Sequence, residues 1–547
     1  MMTKADLIII SEAIFTGLSD GPEPLALAVK DNRILEVGPK EKVLALKGDD
    51  TEIMDVGEKL VMPGFHDAHL HIMLGSLFSY YCVPLSDTNS ADEAAARVRA
   101  YADKHPNDAW IIGTGWDHTA WGEKEFPDRY VLDRVLDDRP VVLLHAEGHY
   151  GWVNSKALAV SGITEFTENP EYGVIYKDDK GEPTGILIET AISLATDFAY
   201  DFSKEQLGDM VRKFLDQAAA HGITSVNDLY GSRAHEKLEA YSVYKEFDEE
   251  GRLTARFHLY PPLNGQIKRS KELRETYSSD KLRVAGLKQF IDGVVTGYTA
   301  YMLDPYTDQP DTKGEIAYTV EQLEKWVVEA DKEGFQIRFH SIGDGAVRLG
   351  LDLYEKAQKI NGKRDARHAL EHIEVIAPED IPRFEKLGVM PSIQPYHMAL
   401  MPKESHTTRV SDEKHPYLYP NASLVRSGAV VSYSSDYPIA SLSPMLEIYH
   451  AITRKDSTLK DTWNEQEGVT LAEALKAYTI NSAYSVFRED ELGTLETGKL
   501  ADLIVLDCNL FTVPEEDILQ TKVELTLMDG KKVWEKTPAE MTDTKCQ

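Results

Sequence analysis

Three times in the middle of this chain a helical run closes on a glycine and an apolar, extended stretch follows at once. Met210 to His221 stops at Gly222, before Ile223-Thr224-Ser225-Val226-Asn227-Asp228. Val320 to Glu333 stops at Gly334, before Phe335-Gln336-Ile337-Arg338-Phe339-His340. Ala377 to Leu387 stops at Gly388, before Val389-Met390-Pro391-Ser392-Ile393-Gln394. Leu282 to Asp292 and Ala429 to Asp436 read as further strands. Glycine just past a helix is a stop signal. Repeated strand-then-helix units imply parallel strands joined by crossover helices. The pattern predicts an α/β fold with a central parallel sheet or (β/α)8, TIM-like barrel. Such barrels carry their chemistry at the C-terminal ends of the strands.

Both ends of the chain read differently. Leu7 to Ile10, Leu25 to Val29 and Arg33 to Gly38 are short strands, with Asp31-Asn32 as a turn. Ala501 to Asp507 and Val523 to Trp534 echo them, with the tight-hairpin pair Asp529-Gly530. The economical organisation is a small β-sandwich built from residues 1–61 plus 489–547, flanking a barrel over 62–488. The stretch from about 76 to 205 breaks the repeat, carries Trp110, Trp116, Trp121 and Trp152, and reads as an insertion over the barrel mouth.

Polar residues end the strand-like runs. In Pro63-Gly64-Phe65-His66-Asp67-Ala68-His69-Leu70-His71, residues two apart on a strand share a face, so His69 and His71 can present two imidazoles to one point. Asp67 lies on the same alternation and is a candidate to orient a ligand histidine. Lys288, inside Ala285-Gly286-Leu287-Lys288-Gln289-Phe290, is an odd strand residue, because a buried lysine is costly unless paired or modified. His340, His372 and Asp436 close the series.

Composition limits the partners. The 547 residues carry a formal charge of −32, which opposes nucleic-acid and anionic-membrane binding. Three dispersed cysteines (Cys82, Cys508, Cys546) fit a reducing compartment. No run of about 18 apolar residues is present, and the first residues hold no signal-like apolar segment. A cytoplasmic protein acting on a small molecule is the expectation, with a homodimer the commonest assembly.

Four histidines, a strand lysine and a strand-end aspartate in this order resemble the amidohydrolase superfamily. The resemblance sharpens to its amidohydrolase-3 branch, the YtcJ-like metal-dependent hydrolases that include N-substituted formamide deformylases. The matching stretches begin with the His-x-His segment, Gly148-His149-Tyr150-Gly151-Trp152-Val153-Asn154-Ser155, Gly181 to Glu189 and Gly222 to Asp228. They continue with Leu287 to Gly293, His340 to Val347, Glu371-His372-Ile373, Ser434 to Pro438 and Gly498 to Leu503. One segment departs: Val294 to Tyr301 lacks the Ser- or Arg-bearing run common in the family, so specificity does not transfer.

The resemblance implies a hydrolase of amide, N-formyl or N-acyl C–N bonds, working by attack of a metal-bridging hydroxide. His69 and His71 would hold the more buried metal, and His340 and His372 the second. Lys288, carbamylated by carbon dioxide, would bridge them. Asp436 would ligate the first metal and shuttle the proton. The ions would be two divalent metals, zinc first, with Fe, Mn, Ni and Co sharing these ligands. His149 would contact substrate or transition state, and Trp116, Trp121, Glu189 and Tyr298 would line the pocket. His66, His118, His145, His368 and His397 read as structural, with His368 a neighbour to the Glu371-His372 strand end. Two rivals stand beside this reading. One is a one-metal deaminase of an aminated ring, using His69, His71, His340 and Asp436. The other is a non-catalytic binding protein on the same scaffold.

Overall fold

The computed structural model describes residues 3–123, 125–146 and 148–537, so Cys546 lies outside it. The chain divides into two units. The first takes everything up to Leu70, then Leu215–Tyr230, then everything from Phe247. The second takes His71–Phe214 and Gly231–Glu246.

In the first unit both termini meet in one sheet. Its order is Lys531–Glu535, Val523–Met528, Leu503–Leu506, Leu60–Pro63, Leu7–Ile14, Glu23–Lys30 and Arg33–Gly38, with Glu52–Asp55 also pairing with Leu7–Ile14. The expected sandwich is thus one continuous hydrogen-bonded sheet of eight strands. Strand alternation gives it two apolar faces. Leu7, Ile9, Leu27, Val29, Leu503 and Val505 join one cluster, and Ile8, Ile10, Ala26 and Ala28 join another. Asp529 and Gly530 both have positive φ (58° and 73°), as a two-residue type I′ hairpin requires.

The remaining strands of this unit are parallel and lie in two sheets. Phe65–Leu70, Ile223–Leu229, Arg256–Tyr260 and Leu282–Val284 form one. Gly286–Phe290, Gln336–Ser341, Ala369–His372, Met390–Ile393 and Ser432–Tyr433 form the other. The stretch Leu282 to Asp292 reads as a single strand in sequence, but it breaks at Ala285 and feeds both sheets. The backbone N–H of Lys288 reaches Pro261 O at 3.0 Å, and Leu263 N–H reaches Lys288 O at 2.8 Å. At the other ends, Asp436 N–H bonds His69 O at 2.8 Å. The helices Val320–Lys332, Asp344–Asn361 and Ile381–Leu387 alternate with these strands. The predicted stops hold: Gly222, Gly334 and Gly388 have φ of 74°, 78° and 67°, where a Cβ is strained. The strand expected over Ala429 to Asp436 is only Ser432–Tyr433; the polar strand end continues as irregular backbone.

The second unit has its own six-stranded sheet, ordered Gly173–Lys177, Pro183–Glu189, Tyr150–Val153, Val141–His145, Ile111–Trp116 and Val83–Pro84. The last three run parallel. Trp116 and Trp152 are fully buried in its core with Leu132, Leu143 and Ile186. Among the described residues no helix is long and apolar enough to cross a membrane.

Candidate metal centre

His69 ends the strand Phe65–Leu70, and its ring is fixed from behind. Its Nδ1 lies 2.8 Å from Glu371 Oε2, which leaves Nε2 facing Asp436 Oδ1 at 3.3 Å. Glu371 is fully buried, and its other oxygen accepts from Arg338 Nη1 at 3.1 Å. Arg338 also donates to Ala68 O at 2.6 Å. A carboxylate behind an imidazole fixes its tautomer and raises its basicity, as second partners of metal-binding histidines do. Asp67, the sequence candidate for this task, does something else. Its carboxylate accepts the backbone N–H groups of His69 and Ser435, each at 3.2 Å, so it joins two strand ends, while the bond to the ring comes from Glu371. Burial pushes Asp67 up to about 7.

His372 and His340 are held in the same way by different groups. His372 Nδ1 bonds Gln394 Oε1 at 2.8 Å, and Gln394 Nε2 in turn donates to Ser434 Oγ at 2.8 Å. His340 Nε2 donates to Gly293 O at 3.0 Å, which leaves Nδ1 as its lone-pair nitrogen. Burial pulls His340 down to about 3 and His372 well below its ordinary value, so both rings are neutral and able to ligate. One ligand atom from each of His69, His372 and Asp436 lies within 4.8 Å of the others. The sequence pairs these histidines differently, setting His372 beside His340 and His69 beside His71. The rings of His340 and His372 do meet, at 4.4 Å between centroids. His372, Ile373 and Asp436 have φ of 74°, 53° and 55°. Such left-handed backbone is costly outside glycine, and above all for β-branched isoleucine, so it persists only where the surroundings enforce it.

Lys288 is fully buried, and its Nζ has no hydrogen-bond partner among the described residues. It lies 4.8 Å from the Phe290 ring, whose face stacks on His340. Burial lowers it to about 8, against the opposing charges of Glu371 and Asp436. An orphaned buried amine beside ligand-type side chains is what a carbamate or a metal-bound group would explain. The neutral imidazoles, the carboxylate of Asp436 and this amine therefore fit divalent ions that take N/O ligands.

Behind them, buried Asp292 accepts three backbone N–H groups, from Tyr301, Ile342 and Gly343, at 2.9–3.0 Å. It pins the loop after Gly286–Phe290 to the turn after His340. Gly343 is required there, because a Cβ would collide with Tyr301 O. His397, read from sequence as structural, comes to the site. Its ring stacks on His372 at 5.8 Å and 9°, and its Nε2 lies 3.8 Å from Asp436 Oδ2. His368 instead bridges Ile337 N–H and Asp331, so it supports a strand. Tyr298 bonds Asp308 and packs on Tyr306.

The other sequence candidates belong to the second unit. His71 is the N-cap residue of the helix Ile72–Tyr80. His149 Nδ1 bonds Glu189 Oε1 at 2.8 Å, with both side chains about a quarter exposed. Trp116 is a core residue and not a pocket lining: it is fully buried, and its Nε1 donates to Leu143 O. Trp121 donates to Thr88 O and packs on Trp116 and Trp152.

Comparison with known proteins gives the family. The sequence profile of the amidohydrolase family, Amidohydro_3, matches residues 52–534. The chain belongs to that family and is a hydrolase acting on carbon–nitrogen bonds. It is 31% identical to the protein LONG AFTER FAR-RED 3 of Arabidopsis thaliana, over 97% of this chain and 92% of the relative. It is 28% identical to the N-substituted formamide deformylase of Arthrobacter pascens, over 98% of this chain and all of the relative. Its structure is similar to that of an uncharacterized metal-dependent hydrolase from Pyrococcus furiosus. That likeness has a TM-score of 0.73 at 27% identity, covering 92% of this chain and 98% of the other.

Proposed function

We propose that the chain is a metal-dependent amidohydrolase that cleaves the C–N bond of an N-formyl or N-acyl small molecule. In this reading the two parallel sheets act as one (β/α)8 barrel. The observation that carries it is the convergence of His69, His372 and Asp436 within 4.8 Å, with one nitrogen of each ring hydrogen-bonded to Glu371 or Gln394. Resemblance to a formamide deformylase points to the formyl or acyl group.

His69 and Asp436, with His71 by its place in the His-x-His motif, would hold one ion. His340 and His372 would hold a second. Divalent ions so held supply a water that ionises near neutral pH and a Lewis acid for the carbonyl oxygen. Lys288, whose amine burial brings down to about 8, would add carbon dioxide, forming an N–C bond with loss of a proton, and would so offer a carboxylate to the ions. Asp436 would take the proton of the attacking water and return it to the leaving nitrogen. Glu371 and Gln394 hold the two rings so that neither must be ordered during the reaction.

A hydrolysis screen over N-formyl, N-acyl and cyclic amides, with the metal-loaded full chain, tests this. Release of formate or a carboxylate with a free amine is expected. Release of ammonia from an aminated ring instead would favour the second reading, a one-metal deaminase using His69, His71, His340 and Asp436. Metal content separates the two: two ions per chain against one.

A further inference from the structure

We propose that the second unit carries a divalent-metal site of its own, formed by Asp117, His118 and His145. The strands Ile111–Trp116 and Val141–His145 run parallel, with Trp116 opposite His145. Asp117, His118 and His145 therefore gather at the C-terminal ends of two neighbouring parallel strands, where open α/β sheets bind their ligands. One ligand atom from each lies within 4.8 Å of the others. His145 Nε2 stands 3.5 Å from Asp117 Oδ1. Because Oδ1 already accepts three hydrogen bonds from its own turn, Asp117 would offer an ion its other oxygen, Oδ2. Two imidazoles and a carboxylate suit Zn(II) and its first-row neighbours, and no soft sulfur ligand is part of the group.

The surroundings hold the donors in place. His145 meets Trp116 edge-on at 4.7 Å and Tyr150 at 5.1 Å, and His118 packs on Phe126 at 4.6 Å. Both histidines are buried, at 8% and 3% exposure. Asp117 Oδ1 accepts from Thr119 N–H, Thr119 Oγ1 and Ala120 N–H, which fixes the carboxylate. A turn-capping role alone explains that oxygen and the nearby His145. Burial of His118 at the same point brings a second imidazole to the group. His149, whose charge acts on His145, is bonded to Glu189. All three residues lie within the second unit.

The test counts metal in the full-length chain. The protein is stripped with a chelator, reloaded with Zn(II), freed of excess and measured by mass spectrometry, with Co(II) spectra as a second readout. The His118→Ala/His145→Ala variant should lose one equivalent relative to the parent. The His69→Ala/His372→Ala variant should keep that equivalent, which separates failure of this site from failure of the central one. Asp117→Asn keeps an oxygen for the turn but loses the charge. It should fold, judged by its thermal midpoint, and release Zn(II) at least tenfold more readily to a competing chelator. Two results would overturn the proposal: unchanged metal content in the double histidine variant, or unchanged retention in Asp117→Asn. The second decides the matter if the double variant does not fold.

Discussion

The molecule gathers histidines and an aspartate at the ends of parallel strands twice, and the two places are built differently. In the first unit each ring has one nitrogen hydrogen-bonded: His69 Nδ1 to Glu371, His372 Nδ1 to Gln394, His340 Nε2 to Gly293 O. A buried lysine with no hydrogen-bond partner among the described residues completes the set. In the second unit the rings of His118 and His145 are held by aromatic packing, and the carboxylate by its own turn. Directed bonds fix both the tautomer and the aim of a ring, whereas packing fixes only its plane. In the reading proposed above, the first arrangement would suit a tight reactive centre.

Removing a ring from the first cluster should have the largest effect. His69→Ala or His372→Ala should lose metal and about a thousandfold or more of hydrolysis, because the ion's Lewis-acid and water-activating roles go with it. Full metal content with near-parental turnover would erase the distinction between the clusters. Asp436→Asn comes next. It should retain the fold and much of the metal while turnover falls by the roughly 10²–10⁴-fold that a general acid–base is worth. Turnover above about a tenth of the parent's would move the proton task elsewhere, with His397 next in line at 3.8 Å.

Lys288→Ala should lose one or both ions, and bicarbonate with a short carboxylic acid should partly restore activity. An intact-peptide mass showing unmodified Lys288 in protein that binds one ion would favour the deaminase reading. The smallest effect should follow Gln394→Ala, which frees His372 Nδ1 and should cost about 10–100-fold in metal affinity. No change there would mean that the directed bonds do not set the first cluster apart.

Much of this was readable before any coordinates. The glycine stops at 222, 334 and 388 marked the alternation, because only the left-handed conformation ends a helix so abruptly. Strand-end position picked out His69, His340, His372 and Asp436. The same signal also points to Gln394, just past Met390–Ile393, and a neutral amide there drew no attention. Arg338 and His340 share a strand face, and that alternation could have placed the buried arginine that steadies Glu371. Which carboxylate would face His69 was not legible. Asp67 and Glu371 lie 2 and 302 residues from it, and only the folded chain shows that the distant one reaches the ring. The break at Ala285 and the gathering of Asp117, His118 and His145 likewise depend on how strands pair across the sheets, which local pattern does not encode.

The central claim is tested most directly by anomalous scattering from crystals of the zinc-loaded full-length protein, collected at the zinc absorption edge. The account predicts a peak within bonding distance of His69, His372 or Asp436 side-chain atoms, and density for three added atoms on Lys288 Nζ. Zinc-bound crystals with no peak beside any of these three residues would contradict it.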